Sequence, residues 1–241
     1  MPRPVKPSPA LAQAFPRRRE RALATRGRVL DAARTLFTER GYVATTIDAI
    51  AGLADVSPET IYATFGNKRS VLAEVVDVTI AGGEKALPIL EQAWVHEMRA
   101  EPDPRRRLRI LARNGRAILE RRAPIDEVVR GAAAADPEVA ALWARGKTQR
   151  FAGQRELLRI VLGGGRLREG LDLRTAADVL YAIGSPETYR HLVGDRGWSG
   201  VSFERWYAAT LEDLLLGPAP GSPAGKGAHV PAADGRSPAK T

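Results

Sequence analysis

The chain has 241 residues, 44% of them hydrophobic, with no cysteine and a formal net charge of +9. That length holds one large domain or two small ones, and the missing cysteines exclude disulfides and thiolate chemistry while fitting a reducing compartment. Residues 1–72 carry 12 Lys/Arg against 6 Asp/Glu, residues 73–216 carry 22 against 21, and residues 217–241 carry 3 against 1. A basic excess gathered at one end predicts phosphate affinity there, which a merely soluble surface does not.

Residues 1–24 read as a basic, disordered tail. The opening MPRPVKPSPALAQAF holds four prolines and no uninterrupted apolar core, which argues against a secretory leader. No apolar run along the chain is long enough to span a bilayer, so the expected location is the cytoplasm, with no membrane partner. Arg17, Arg18, Arg19 and Arg21 stand just ahead of the first helix as a candidate arm for phosphate or minor-groove contacts. A solvated charge run is the plain alternative.

The spacing predicts a helix from about Thr25 to Arg40, with Val29/Leu30, Ala33 and Leu36/Phe37 on one apolar stripe and Gly41 as its stop. Thr46 then caps a short helix bearing Ile47, Ile50, Ala51 and Ala54. Asp55-Val56-Ser57 makes a tight turn, and Ser57, Pro58 and Glu59 open another helix with Ile61 and Phe65 turned inward. Gly66 and Asn67 close it and cap a fourth helix from Lys68. Two short helices across such a turn are a helix-turn-helix, whose second helix can lie in a DNA major groove. Lys68 and Arg69 oppose the macrodipole of the helix they open, a placement that a bound phosphate would relieve.

Residues 25–72 resemble the DNA-binding region of the Tet repressor (TetR) family. The resemblance rests on Leu36-Phe37, Gly41-Tyr42, Thr45-Thr46, Ala51, Val56-Ser57, Tyr62, Phe65 and Lys68, which occur in that order. It implies an all-α chain with an N-terminal helix-turn-helix domain and, over residues 73–216, a helical regulatory and dimerisation bundle. Carried over by position, Pro58, Glu59, Thr60, Ala63 and Thr64 would face base edges. Thr46, Ser57, Tyr62 and Lys68 would bind phosphates. Hydroxyls and the lysine suit phosphate oxygens, and the Thr and Ala methyls suit thymine. Glu59 could accept from a cytosine amino group or merely favour its helix N-terminus.

Beyond Leu72, a helix reaches Thr79 or Ile80 before Gly82-Gly83. Further helices are expected over Lys85–Met98, Pro104–Arg121, Ile125–Ala135 and from Pro137 to Leu162, which Gly163-Gly164-Gly165 stops. Asp172 and Ser185 cap two more, residues 194–200 read as a loop, and Ser202–Leu216 forms the last helix. Residues 217–241 return to Gly, Pro, Ala and Ser and read as a disordered tail. By the resemblance, Trp94, Met98, Trp143 and Phe151 are candidates for a small-molecule pocket, with plain core packing as the alternative for each. The helices near Leu173–Gly184 and Ser202–Leu216 are the expected dimer surface.

Nothing points to catalysis. His96, His191 and His229 show no metal-ligand spacing, and Gly163-Gly164-Gly165 lacks the flanks of a phosphate loop. No catalytic residue, metal or cofactor is therefore expected. The partners are double-stranded DNA as a palindromic operator, a second copy of the chain and a small-molecule effector. An activator, a regulator without effector, and an enzyme or scaffold built on the second domain remain open alternatives.

Overall fold

A computed structural model describes residues 9–83 and 87–218, and residues 1–8, 84–86 and 219–241 lie outside it. Every regular element among the described residues is helical. The chain divides into two units, one ending at Val75 and the other beginning at Val76.

In the first unit, α1 (Pro9–Ala44) starts well before Thr25, so the backbone of the expected basic arm is helical rather than extended. Ala, Leu, Gln, Arg and Glu dominate that stretch, and all are strong helix formers. The stripe of α1 buries Val29, Leu30, Ala33, Leu36 and Phe37. Gly41, at φ 76° and ψ 170°, breaks the helical run in a conformation that glycine takes without strain. Just beyond, the buried Thr45 hydroxyl donates to the carbonyls of Gly41 at 2.8 Å and Leu36 at 3.1 Å, partnering oxygens that the helix end leaves open.

Next come α2 (Ile47–Ala54) and α3 (Pro58–Phe65), each capped by its preceding hydroxyl. Thr46 accepts from the Ala49 N–H at 3.1 Å and Ser57 from the Thr60 N–H at 3.3 Å. The turn between them passes through Asp55 in the left-handed region, where a short polar side chain is tolerated. Ile50 and Ile61 are fully buried and Phe65 nearly so, which fixes α2 and α3 on α1. Asn67 accepts from the Ser70 N–H at 2.9 Å, and so opens α4 (Lys68–Ala81). Val71, Leu72 and Val75 of α4 complete this core.

The second unit contains the end of α4, α5 (Ala93–Ala100), α6 (Pro104–Ala133), α7 (Pro137–Leu162), α8 (Leu173–Ile183), α9 (Pro186–Tyr189) and α10 (Gly200–Leu211). Asp103, Asp136 and Asp172 cap α6, α7 and α8 through backbone N–H groups. The break expected after Arg121 does not occur, because α6 runs straight through Pro124. A proline inside a helix costs about 3 kcal/mol. Ile125, Val129 and Ala132 beyond it are buried, and large aliphatic side chains return about 1.5–3 kcal/mol each.

Within the described part of the helix expected over Lys85–Met98, a short 3₁₀ turn at Ile89–Glu91 precedes α5, and Lys85 lies outside the described residues. The loop expected over residues 194–200 begins inside a π-helical turn, Arg190–Asp195. Gly163 ends α7 at φ 54°, where a Cβ would stand 1.7 Å from the Arg107 guanidinium. That guanidinium ties the start of α6 to the carbonyls of Ile160 and Val161, at 3.2 Å each. No helix of the described residues is long and apolar enough to cross a membrane.

Candidate nucleic-acid interface and internal cavity

The outer face of α3 is open. Glu59, Ala63 and Thr64 are exposed, Tyr62 is 53% exposed, and Pro58 and Thr60 are half-buried. The polar groups on this face are locally ordered: Thr60 Oγ1 lies 3.2 Å from Ser57 Oγ, and Thr64 donates to the Thr60 carbonyl at 2.7 Å. The Glu59 carboxyl is held below its usual range by its own backbone N–H and then by the Ser57 hydroxyl. Both of those groups lie at the N-terminus of α3. Thr46 and Ser57 remain exposed while capping.

Lys68 is placed differently from a surface phosphate ligand. Its Nζ donates to the carbonyls of Tyr42 and Thr45, each at 2.9 Å, and stands 4.3 Å from the centroid of the Tyr42 ring. The ammonium thus joins the start of α4 to the end of α1. Arg28 acts similarly by donating to the Ala54 carbonyl at the end of α2, at 3.2 Å. Arg26 pairs with Glu74 and lies over the Phe65 ring. Neither contact is visible in a motif, because each joins residues more than twenty positions apart.

The charge distribution sharpens when residues 1–72 are divided. Residues 25–72 hold six Lys/Arg against five Asp/Glu, so the basic excess belongs almost wholly to residues 1–24. Arg17, Arg18 and Arg19 fall on the backbone of α1, but their side chains lie outside the described residues. Arg21 is exposed.

A cavity of about 680 Å³ lies within the second unit, bounded by α4, α6, α7 and neighbouring segments. Trp94 and Trp143 line it. Met98 is instead fully buried in the core, and Phe151 packs edge-on against Tyr181 with centroids 5.6 Å apart, so neither of these two expected residues forms its wall. Most of the wall is apolar, including Ile80, Leu111, Ile118 and Leu142.

Several polar wall residues were not apparent from the sequence. Arg122 and Asp126 form a buried ion pair one helical turn apart on α6. Burial holds the Asp126 carboxyl above its ordinary range, with Arg122 pulling the opposite way. Desolvation likewise raises the Asp77 carboxyl. Arg150 donates to the Tyr181 carbonyl at 3.1 Å and stacks on that residue's ring. Tyr207 is fully desolvated, which pushes its phenol up. An available signal was the pair Gly146 and Gly153, two helix-interior glycines spaced to share a face of α7. No group of three or more His, Cys, Asp or Glu among the described residues is arranged to hold a metal.

Residues 29–75 match the family described as bacterial regulatory proteins, tetR family. Over 47 residues the chain is 47% identical to the "Uncharacterized HTH-type transcriptional regulator YhgD" of Bacillus subtilis (strain 168), a match spanning 20% of this chain and a quarter of that protein. The "Uncharacterized HTH-type transcriptional regulator YdeS" of the same organism is 28% identical over 185 residues, 73% of this chain and 83% of its own length. Among solved structures, the transcriptional regulator FadR from Bacillus subtilis in complex with stearoyl-CoA is similar at a TM-score of 0.62. That likeness covers 80% of this chain and 98% of the other at 20% identity, and is one of fold.

Proposed function

Given that the chain belongs to the tetR family of bacterial regulatory proteins, we propose that this DNA-binding transcriptional regulator is a dimeric cytoplasmic repressor released from its operator by a small molecule. The observation that carries the reading is one chain holding an unpacked α3 face in a helix-turn-helix and a largely apolar cavity in a separate helical unit. In this reading Pro58, Thr60, Ala63 and Thr64 meet base edges, and Thr46, Ser57 and Tyr62 meet phosphates, with Glu59 at the helix N-terminus. Arg17, Arg18, Arg19 and Arg21 supply the sequence-blind affinity. Two copies, paired through the α8 and α10 regions, put their reading helices one helical turn of DNA apart or a multiple of it, about 34–36 Å per turn.

α4 belongs to both units. Its Lys68 holds the end of α1, while Val76, Asp77, Ile80 and Ala81 line the cavity. A molecule that prefers one arrangement of α4 biases the DNA-binding equilibrium by its differential affinity for the two states. The similarly folded regulator FadR, solved in complex with stearoyl-CoA, supports an effector for this chain.

Selection of bound sites from random DNA by the purified full-length chain tests this reading, followed by sedimentation with and without the selected duplex. A palindromic consensus bound by two chains is expected. A monomer on a single half-site would count against the assembly, and enrichment of no sequence would count against sequence-specific regulation.

A further inference from the structure

We propose that the cavity of the second unit takes an apolar molecule ending in a single carboxylate, whose oxygens are received by the Tyr207 hydroxyl and the Arg150 guanidinium. The proposal rests on reading that cavity as the effector site.

Tyr207 carries the first part of the argument. Its side chain is 3% exposed and lines the cavity, and among the described residues its hydroxyl has no hydrogen-bond partner. A Cβ built on Gly184 would stand 2.3 Å from that oxygen, and one on Gly115 would stand 3.9 Å from it. Both glycines line the same cavity, and the hydroxyl occupies the space that a side chain at Gly184 would take. A hydroxyl on a buried residue is normally satisfied, and a molecule in the cavity can supply its partner.

Charge carries the second part. Arg150 and Gln154, one turn apart on α7, donate to the Tyr181 and Gly184 carbonyls of the α8 segment at 3.1 and 3.2 Å, and Gly184 is the residue against the Tyr207 hydroxyl, which puts Arg150 and Tyr207 on the same side of the cavity. Arg122 is occupied by Asp126, whereas Arg150 meets a carbonyl and a ring face rather than a carboxylate among the described residues. The ionisable wall residues are Arg122, Arg145, Arg150, Asp77 and Asp126, an excess of one cation. Glu187, whose field reaches Asp126, is not in the wall. A guanidinium only donates and a phenol can donate, so the pair suits an acceptor-rich head, and a planar carboxylate offers two oxygens to match.

The aromatic wall does not favour the alternative of a quaternary ammonium. Such a ligand needs open ring faces, and Lys147 already lies over the Trp143 ring at 5.7 Å. The body of the ligand has room along α7. Gly146 and Gly153 share the lining face, and a Cβ at either would meet nothing within 4 Å.

The test titrates the full-length protein with dodecanoate, dodecanol and dodecyltrimethylammonium by calorimetry, each below its micellar concentration. Dodecanoate should bind at one site per chain, about tenfold or more tighter than dodecanol, the ratio one charge-assisted hydrogen bond supplies. Tyr207→Phe should lose several-fold for dodecanoate and almost nothing for dodecanol, on the order of one hydrogen bond. Arg150→Gln should bring the acid down to the alcohol. Gly153→Leu fills the groove and should weaken both. Equal affinity for acid and alcohol, tighter binding of the ammonium, or an acid preference unchanged by Tyr207→Phe overturns the proposal. Tyr207→Phe removes one oxygen and keeps the ring, so the result does not depend on whether Arg150→Gln folds.

Operator affinity measured alongside separates the two readings. Release by the alcohol or the ammonium, with no preference for the acid, overturns the carboxylate assignment and leaves the effector reading standing. Acid binding with the expected pattern but unchanged operator affinity upholds the assignment and overturns the effector reading.

Discussion

Replacing Lys68 by Met keeps the aliphatic stem and removes the ammonium. The structure assigns that ammonium two 2.9 Å bonds to the Tyr42 and Thr45 carbonyls and a position 4.3 Å from the Tyr42 ring. Hydrogen bonds to a charged group contribute about 1.5–3 kcal/mol when well buried. Lys68 is only half-buried, and the carbonyls can turn to water once it is gone, so the loss should be about 1–3 kcal/mol in total. Amide hydrogen exchange on the full chain is the assay, because it reads the first unit separately from the second. Protection in α2 and α3 should fall about tenfold or more, since 1.4 kcal/mol is one decade. Affinity for operator and random DNA should fall together, as the misheld reading helix loses both. Unchanged protection, with a salt slope reduced by about 1, would refute this account. It would make Lys68 a direct phosphate ligand, the role that the family resemblance implies.

Thr60→Ala should cost about 1–3 kcal/mol on the operator if the methyl and hydroxyl meet a base, leave the salt slope unchanged and relax preference at one position per half-site. Binding isotherms on operator and scrambled duplexes across a salt series measure this, and equal losses on both duplexes would move Thr60 off the base edges. Deleting residues 1–21 should weaken binding to any duplex and flatten its salt dependence, while a deletion of residues 1–16 alone leaves the arginines in place. If the larger deletion left the salt slope intact, the arm would have no part in phosphate binding. Asp126→Asn strands Arg122, whose side chain is 8% exposed, and should cost about 3–5 kcal/mol in urea unfolding. A loss below about 1 kcal/mol would mean that the pair is not effectively buried.

The helix-turn-helix was legible because its signals are local. Thr46, Ser57, Gly66 and Asn67 each satisfy or end a helix within a few residues of themselves, so a linear reading finds them. Helix extents that depend on tertiary burial were read less well. Pro124 argues locally for a break, and only the burial of Ile125 and Val129 overrides it. The cavity was half legible. An aromatic or methionine on an apolar face has the same pattern whether it meets a void or another side chain. Trp94 and Trp143 therefore could not be told from Met98 and Phe151 by residue type. Lys68 shows the same limit for polar groups, because its carbonyl partners lie 23 and 26 residues away. Nothing local sets Tyr207 apart from the other aromatics, because its hydroxyl fits against Gly184, 23 residues away.

The division of charge has a consequence for how this protein finds DNA. Net attraction to a polyanion scales with the cations that displace counterions, and residues 25–72 are nearly balanced at six against five. Several of those six are already committed: Lys68 and Arg28 hold carbonyls, and Arg26 pairs with Glu74. The folded head is thus built to position α3 rather than to attract the duplex. In the proposed reading attraction falls to the segment ahead of Thr25, where Arg17, Arg18, Arg19 and Arg21 are opposed only by Glu20. Affinity and specificity should accordingly separate by residue. Loss of arm arginines changes binding to every sequence and its salt dependence, and changes on the open face of α3 alter which sequence is chosen.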